Sequence, residues 1–320
     1  MYNIIQPVQE VHYHNYMDLI KKYLSINSSY NFALKKAYVF RGEGNEHYQL
    51  FPSAFRSESR DFLSRLMEVS YFYHKSVNEI DTSVGNQILS EWSAFRYFYQ
   101  NANMQGLPMP QLNDEWMLKF QKDEPIEVSS LDEWIPTELA EVFALMQHYG
   151  FPTRMLDWSY GFHIALYFAA MSAANRLKKK KTIENENMVI WIMNLGLVND
   201  ILVDDYGEHK IKFITPLYSN NPNLNAQKGV LSYIPINHNQ IMHNDDPLKK
   251  MSFDKYIENN SKDKKLYDTP LLEKALIPIK DCYSVLHYLD AINVNRLSVF
   301  PGYGSIYQNC LDNLNFIGDG

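Results

Sequence analysis

The residues that decide the fold are Met188-Val189-Ile190-Trp191-Ile192-Met193, six apolar residues in a row. An unbroken apolar run of strand length is typical of a central strand that is buried on both faces. Such a strand needs neighbours that cover it, so we expect a sheet with helices packed against it. Shorter apolar runs predict further strands at 37–40, 212–214, 230–234 and 275–279.

Helical spacing of apolar residues predicts the elements that flank this sheet. The predicted helices lie at 16–24, within an insert at about 57–135, from 137 to a stop at Gly150, at 159–177, at 282–289 and at 303–314. Residues 237–268 are polar and lack periodicity, which predicts a flexible loop. Strands and helices do not alternate regularly, so the fold class is predicted as α+β, with a mixed central sheet flanked by helices. We divide the chain into a helical lead at 1–36 and a domain at 37–320 that carries the insert and the loop.

The composition is that of an ordinary globular protein. The 320 residues are 46% hydrophobic, which excludes wholesale disorder and allows a sizeable core. The net charge of −7 argues against broad, non-specific nucleic-acid binding. With only two cysteines, no signal-peptide pattern and no apolar run of about 20 residues, we expect a cytoplasmic protein that does not enter a membrane. The lysine run Lys178–Lys181 is typical of a solvated loop, with phosphate binding as the alternative.

The segment from Gln147 to Trp158 concentrates side chains that can do chemistry. A helix ends, the chain turns, and imidazole, phenol, guanidinium, carboxylate and indole groups follow within eleven residues: His148, Tyr149, Arg154, Asp157 and Trp158. Rigid turns followed by functional side chains are typical of a site built on loops. Structural interpretations are also open: His148 could cap a helix C-terminus, and Arg154 and Asp157 could form an ion pair. Asp157 or Ser159 could instead be the N-cap of the next helix.

Two other positions are candidates for ligand binding. Arg41 ends an apolar strand, where its guanidinium can bind two phosphate oxygens or one carboxylate of a ligand. The alternative is a salt bridge to Asp157 or to a glutamate. Gln227 precedes a strand and can donate to a ligand. The spacing of histidines and cysteines predicts no metal site.

These motifs together resemble the FRG domain family, which is named for a Phe-Arg-Gly motif. The corresponding segments here are Phe40-Arg41-Gly42, Gln147 to Trp158, Ala165 to Ala169, Ala226 to Val230 and Phe300 to Gly304. The resemblance runs from about 38 to 307.

The Phe-Arg-Gly segment also resembles the arginine motif of ADP-ribosyltransferases, in which that arginine anchors NAD. This second resemblance implies an ADP-ribosyltransferase-like fold, NAD as substrate, and Arg41 on its pyrophosphate. The catalytic glutamate of those enzymes would fall near Gln227, where this sequence has no glutamate. We therefore expect Asp157 to supply the carboxylate, with Glu43 as the second choice, and His148 to deprotonate an acceptor.

The remaining candidates are assigned to binding the nucleotide. Tyr149 or Trp158 would stack on a ring, and Arg154 and Gln227 would hold the anionic part. We predict a nucleotide-binding protein that transfers ADP-ribose to a nucleic acid or protein, or hydrolyses NAD, as a toxin or phage-defence effector. The alternatives are a catalytically silent ligand-binding or protein-interaction domain, and a purely structural motif that locks two helices together. The sequence does not predict the oligomeric state.

Overall fold

The predicted α+β class is confirmed by the computed structural model, which has a seven-stranded mixed sheet between helices. It describes residues 4–27, 37–69, 82–121, 126–179, 183–204, 207–216, 222–264, 266–267 and 269–317. In these ranges no helix is both long and apolar enough to cross a membrane.

The main sheet has the strand order β2-β11-β6-β3-β5-β8-β7. Strands β2 and β11 run parallel, and all the other neighbours in this sheet are antiparallel. Two small antiparallel pairs, β1 with β10 and β4 with β9, lie outside it. The eleven strands within the described ranges are β1 Ile4–Ile5, β2 Val8–His12, β3 Tyr38–Glu43, β4 Glu133–Trp134, β5 Leu156–Ser159, β6 Asn187–Asn194, β7 Lys212–Ile214, β8 Gly229–Tyr233, β9 Ile236–Asn237, β10 Leu266–Tyr267 and β11 Leu272–Pro278.

The helices cover both faces of this sheet. Short 3₁₀ turns occur at Ser53–Phe55, Val128–Ser130, Thr137–Leu139 and Ile279–Asp281. The described part of the chain forms fourteen α-helices: α1 Tyr16–Asn27, α2 Ser57–Val69, α3 Ser83–Met104, α4 Asp114–Gln121, α5 Ala140–His148, α6 Phe162–Lys179, α7 Leu195–Ile201, α8 Pro222–Ala226, α9 His238–Met242, α10 Pro247–Lys250, α11 Phe253–Ser261, α12 Cys282–Ala291, α13 Arg296–Val299 and α14 Tyr303–Ile317.

The alternation of side chains along β6 separates two hydrophobic cores. Val189, Trp191 and Met193 pack into the core that also contains α3, α5 and α11. Ile190 and Ile192 point the other way, into the core formed with α1, α6 and α12. Because successive side chains of a strand point to opposite faces, a run that is apolar at every position is what a sheet covered on both sides requires.

Helix α6 lies unusually close to β3, and Gly42 makes this approach possible. A Cβ atom at position 42 would lie 1.8 Å from the carbonyl oxygen of Ala165 and 2.7 Å from the amide nitrogen of Ala169. The small residues at 165 and 169 are one helical turn apart, so they present one low ridge to the strand. The Phe-Arg-Gly segment and the Ala165–Ala169 segment are therefore the two sides of one contact.

Several sequence predictions of local structure are wrong. The segment 237–268, predicted as a flexible loop, contains α9, α10 and α11, which bury Leu248, Phe253 and Ile257 in the core. The lead at 1–36 is not only helical, because β2 joins the main sheet beside β11. The chain after Arg154, which was predicted to form a loop, forms β5. The insert at 57–135 is helical in α2, α3 and α4, although residues 70–81 and 122–125 lie outside the described ranges.

Candidate functional site

A cleft of about 580 Å³ opens where β3 and β5 separate. One registered pair, Phe40 opposite Ser159, joins these neighbouring strands, whereas β3 pairs with β6 along its whole length. The gap beyond that pair is lined by the ends of both strands together with α5, α6, α8 and the segment after α13. The residues that line it are Phe40, Arg41, Gly42, Glu43, Gln147, His148, Tyr149, Asp157, Trp158, Ser159, Ala165, Phe168, Ser172, Asn223, Gln227 and Phe300.

Arg41 spans this gap. Its Nη1 donates to the carbonyl oxygen of Asp157 at 2.9 Å, which replaces a backbone hydrogen bond that the separated strands cannot form. Its Nε and Nη2 both donate to Glu43 Oε1, at 2.9 and 2.6 Å. Burial alone would lower the pKa of Arg41, but the carboxylates of Glu43 and Asp157 more than offset this and hold the pKa above its ordinary value. Arg41 is therefore a fixed cation, and three of its five N–H donors have protein partners.

Two carboxylates flank this arginine. Glu43 lies two residues further along β3 and is mostly buried by its contact with Arg41. The Asp157 side chain is 65% exposed, and its Oδ2 lies 3.9 Å from Arg41 Nη1. Leu156 and Trp158 on either side of Asp157 are buried, so the alternation of β5 directs the carboxylate away from the core. Of the two acids, Asp157 is the one that a ligand in the cleft can reach.

His148 and Tyr149 reach the cleft from the end of α5. The helix stops because Gly150 adopts φ +87°, a conformation that suits glycine, while the amides of 149–151 bond back to carbonyls in the last turn. Burial lowers the pKa of His148 below its ordinary value, although the nearby carboxylate of Asp157 acts in the opposite direction. At neutral pH His148 is therefore an uncharged imidazole that can accept a proton.

Arg154 does not reach the cleft, which corrects its predicted role in holding the nucleotide. Its side chain is 0% exposed. Nε lies 2.8 Å from Glu91 Oε2, and Nη2 lies 3.1 Å from Glu91 Oε1 and 3.3 Å from Asp246 Oδ2. The guanidinium also lies over the ring of Phe55. A buried arginine with two carboxylate partners ties β5 to α3 and to the start of α10, and this is the structural interpretation of the motif.

The other predicted binding residues occupy different positions around the cleft. Tyr149 is largely exposed at its edge, where its ring is accessible. Trp158 lines the cleft but is only 3% exposed. Its indole nitrogen donates to Ser232 Oγ at 2.8 Å, and its ring packs near Phe253 in the core, so the predicted stacking of Trp158 on a ligand ring is not available in this conformation. Gln227 lines the cleft, and its backbone carbonyl accepts from Ser159 Oγ at 2.7 Å.

Several lining residues were not predicted. Phe168 and Ser172 lie one turn apart on α6, a helix that the sequence showed only as broadly apolar. Phe300 closes the cleft from a distant part of the chain. Asn223 lies four residues before Gln227, and its Oδ1 is buried without a hydrogen-bond partner among the described residues. The spacing of four residues between Asn223 and Gln227 is a signal that could have placed both on one face.

The fold and the cleft define an α+β domain with a cationic side chain, an imidazole and two carboxylates around one solvent-reachable site. Residues 36–179 of the chain match the FRG domain family. This match, which spans somewhat less than half of the chain, supports the resemblance to the FRG domain family that the motifs indicated. No curated protein and no solved structure matches the chain.

The family match covers one part of the cleft. It contains Arg41, Glu43, His148 and Asp157 and ends with α6, whereas Asn223, Gln227 and Phe300 lie beyond it.

Within the described ranges there is no cluster of three or more His, Cys, Asp or Glu side chains that could hold a metal ion.

Proposed function

We propose that the cleft binds NAD and cleaves the bond between nicotinamide and ribose, with release of ADP-ribose to water or to an acceptor. The observation that carries this proposal is the convergence of Arg41, Glu43, His148 and Asp157 on one cleft. One guanidinium faces two carboxylates, and His148 is uncharged, so the charged groups leave an excess of negative charge. Such a site favours a ligand with a positively charged ring, and oxidised nicotinamide has one.

The chemistry follows from this charge. When the C1′–N1 bond breaks, its electron pair leaves with nicotinamide and positive charge develops on the ribose. A carboxylate beside the sugar stabilises that charge, as in glycoside hydrolysis. Asp157 is the accessible carboxylate for this role, while Glu43 is held by Arg41. The incoming water or acceptor hydroxyl then bonds to C1′ and loses a proton, which the neutral His148 accepts.

Arg41 acts in this proposal as a positioning residue. Its three hydrogen bonds fix Glu43 and the backbone of Asp157 on opposite sides of the gap. This fixed geometry matters because electrostatic stabilisation depends on groups that do not have to reorganise during the reaction. A nucleic acid or protein acceptor, and a role as toxin or phage-defence effector, are compatible with such an activity and remain proposals.

The test is nicotinamide release from NAD by the purified protein, followed by chromatography. We expect Asp157→Asn to reduce the rate by about 100-fold or more, the usual effect of removing one group that stabilises developing charge. Because Asp157 is well exposed, its thermal unfolding should stay close to that of the wild type. Asp61→Asn is the matched control, since its carboxylate is also exposed, on α2, and does not line the cleft.

Three outcomes separate the alternatives. The proposal is supported if the wild type and Asp61→Asn release nicotinamide and Asp157→Asn does not. Binding of NAD by the wild type with no release would replace it with the silent ligand-binding domain. If the wild type neither binds NAD nor releases nicotinamide, the proposal is refuted.

A further inference from the structure

A second hollow, of about 390 Å³, adjoins the cleft along α6. We call it the α6 hollow; its lining residues are Tyr167, Phe168, Met171, Ser172, Asn175, Arg176, Lys179, Arg296 and Phe300. Phe168, Ser172 and Phe300 line both spaces. The cleft and the α6 hollow are therefore neighbouring compartments with these three residues in common.

The charge of the α6 hollow is opposite to that of the cleft. Its charged lining residues, Arg176, Lys179 and Arg296, are all basic. Arg176 pairs with Glu186 and Arg296 with Asp312, whereas Lys179 forms no ion pair with another described residue. None of these carboxylates lines the hollow, so a ligand inside it meets the cations first. Lys179 belongs to the lysine run seen in the sequence, of which Lys180 and Lys181 lie outside the described residues.

Tyr167 adds a hydrogen-bond donor to the α6 hollow. Its side chain is 3% exposed, and its hydroxyl is buried without a hydrogen-bond partner among the described residues. Burial raises the pKa of Tyr167 to about 12, so the hydroxyl keeps its proton at neutral pH. A buried donor without a partner is uncommon and unfavourable, and an oxygen atom of a bound ligand would satisfy it.

We propose that the α6 hollow binds the phosphate groups of a nucleotide whose glycosidic bond lies in the cleft. The identity of that nucleotide as a dinucleotide such as NAD rests on the proposed function; the preference for phosphate rests on the hollow alone. Lys179 supplies a positive charge that is not paired with another described residue, and Tyr167 supplies a neutral donor. Arg176 and Arg296 add to the positive potential of the hollow. The resemblance to ADP-ribosyltransferases implies the pyrophosphate at Arg41, but three of the five N–H donors of Arg41 are already bound to Glu43 and Asp157.

Calorimetric titration with inorganic pyrophosphate tests the hollow without any reaction. We expect the wild type to bind, and Lys179→Gln to bind about 5- to 10-fold more weakly, the loss of one charge-assisted contact at a partly exposed site. Tyr167→Phe should weaken binding by a similar factor while its thermal unfolding temperature stays equal to or above that of the wild type. This combination would not arise from a structural defect, because Tyr167→Phe removes only a hydroxyl that has no hydrogen-bond partner among the described residues. Lys262→Gln, an exposed lysine at the end of α11 that lines neither space, is the control for charge and should bind like the wild type.

The outcomes distinguish the hollow from the proposed function. No binding of pyrophosphate, or binding that both Lys179→Gln and Tyr167→Phe retain, would overturn the α6 hollow as a phosphate site. An equal loss in Lys262→Gln would also overturn it, since the effect would then be one of overall charge. Weakened binding in both hollow variants, with no nicotinamide released from NAD by the wild type, would support the hollow and refute the proposed reaction. Release of nicotinamide with the KM for NAD unchanged in both variants would support the reaction and refute the hollow.

Discussion

Substitution of Gly42 by alanine is the most direct test of how α6 is positioned over the sheet. The added Cβ would lie 1.8 Å from the carbonyl oxygen of Ala165, where an ordinary carbon–oxygen contact requires about 3.3 Å. Both atoms that it meets most closely belong to the helix backbone, so no side-chain rotation relieves the overlap. The strand and the helix would have to separate by about 1.5 Å along the contact.

The energetic consequence follows from that displacement. Overpacking of a core costs about 1–3 kcal/mol and occasionally more, and a displaced α6 also loses packing in the core that it shares with α1 and α12. We therefore expect Gly42→Ala to lower the free energy of unfolding by about 3 kcal/mol or more, a large part of the 5–15 kcal/mol of a typical domain. Urea unfolding followed by circular dichroism measures this difference.

Gly304→Ala is the matched control, because a Cβ at position 304, in the first turn of α14, meets no atom within 4 Å. Its free energy of unfolding should stay within about 1 kcal/mol of the wild type, since alanine is the better helix former. If Gly42→Ala also stays within about 1 kcal/mol, α6 does not depend on this contact and our account of the Phe-Arg-Gly segment is wrong.

Two further predictions concern residues of the segment from Gln147 to Trp158. Arg154→Met should lower the free energy of unfolding by about 3–5 kcal/mol, because it leaves Glu91 and Asp246 buried without their cation; a loss below about 1 kcal/mol in the same urea assay would contradict the structural role of Arg154. His148 should titrate below its ordinary pKa of about 6.5 in an NMR pH series, because burial disfavours its charged form. The unfolded chain then binds this proton more readily than the folded one, so the wild type should lose stability relative to His148→Gln as the pH falls below about 6.5 toward the folded-state pKa. A His148 that titrates above 6.5, or a wild type that gains stability relative to His148→Gln over this range, would contradict the prediction.

Several strands could be predicted from the sequence because burial on both faces leaves a run of consecutive apolar residues within each of them. The run Met188–Met193 lies within β6, near the middle of the sheet, as its composition indicated. Strand β5 could not be predicted in the same way, because it is four residues long and contains Asp157, which faces solvent. Helices α9–α11 were not predicted, because their few buried residues, such as Leu248 and Phe253, are scattered among polar ones. The segment as a whole is polar, so its composition did not indicate short helices.

The candidate site was predictable to the extent that its residues flank recognisable breaks in the chain. Arg41 ends an apolar run, and His148 precedes a helix-stopping glycine, so both could be placed at element ends that line the cleft. The partners of Arg154 could not be found, because Glu91 and Asp246 lie 63 and 92 residues away in sequence and carry no local signal. Phe300 begins a segment that resembles a family motif, but its place beside α6 depends on the path of the whole chain and could not be predicted.

The family match ends with α6, before the central strand begins. Strand β3 takes most of its hydrogen bonds from β6, which lies beyond the match, and Phe300 closes the cleft from still further along the chain. A recombinant fragment trimmed to 36–179 would thus expose the unpaired edge of β3 and lack one wall of the cleft, and unpaired edges of this kind invite aggregation. The segment that matches the family is therefore shorter than the unit that folds. A shortened protein intended for biochemistry has to extend past residue 300.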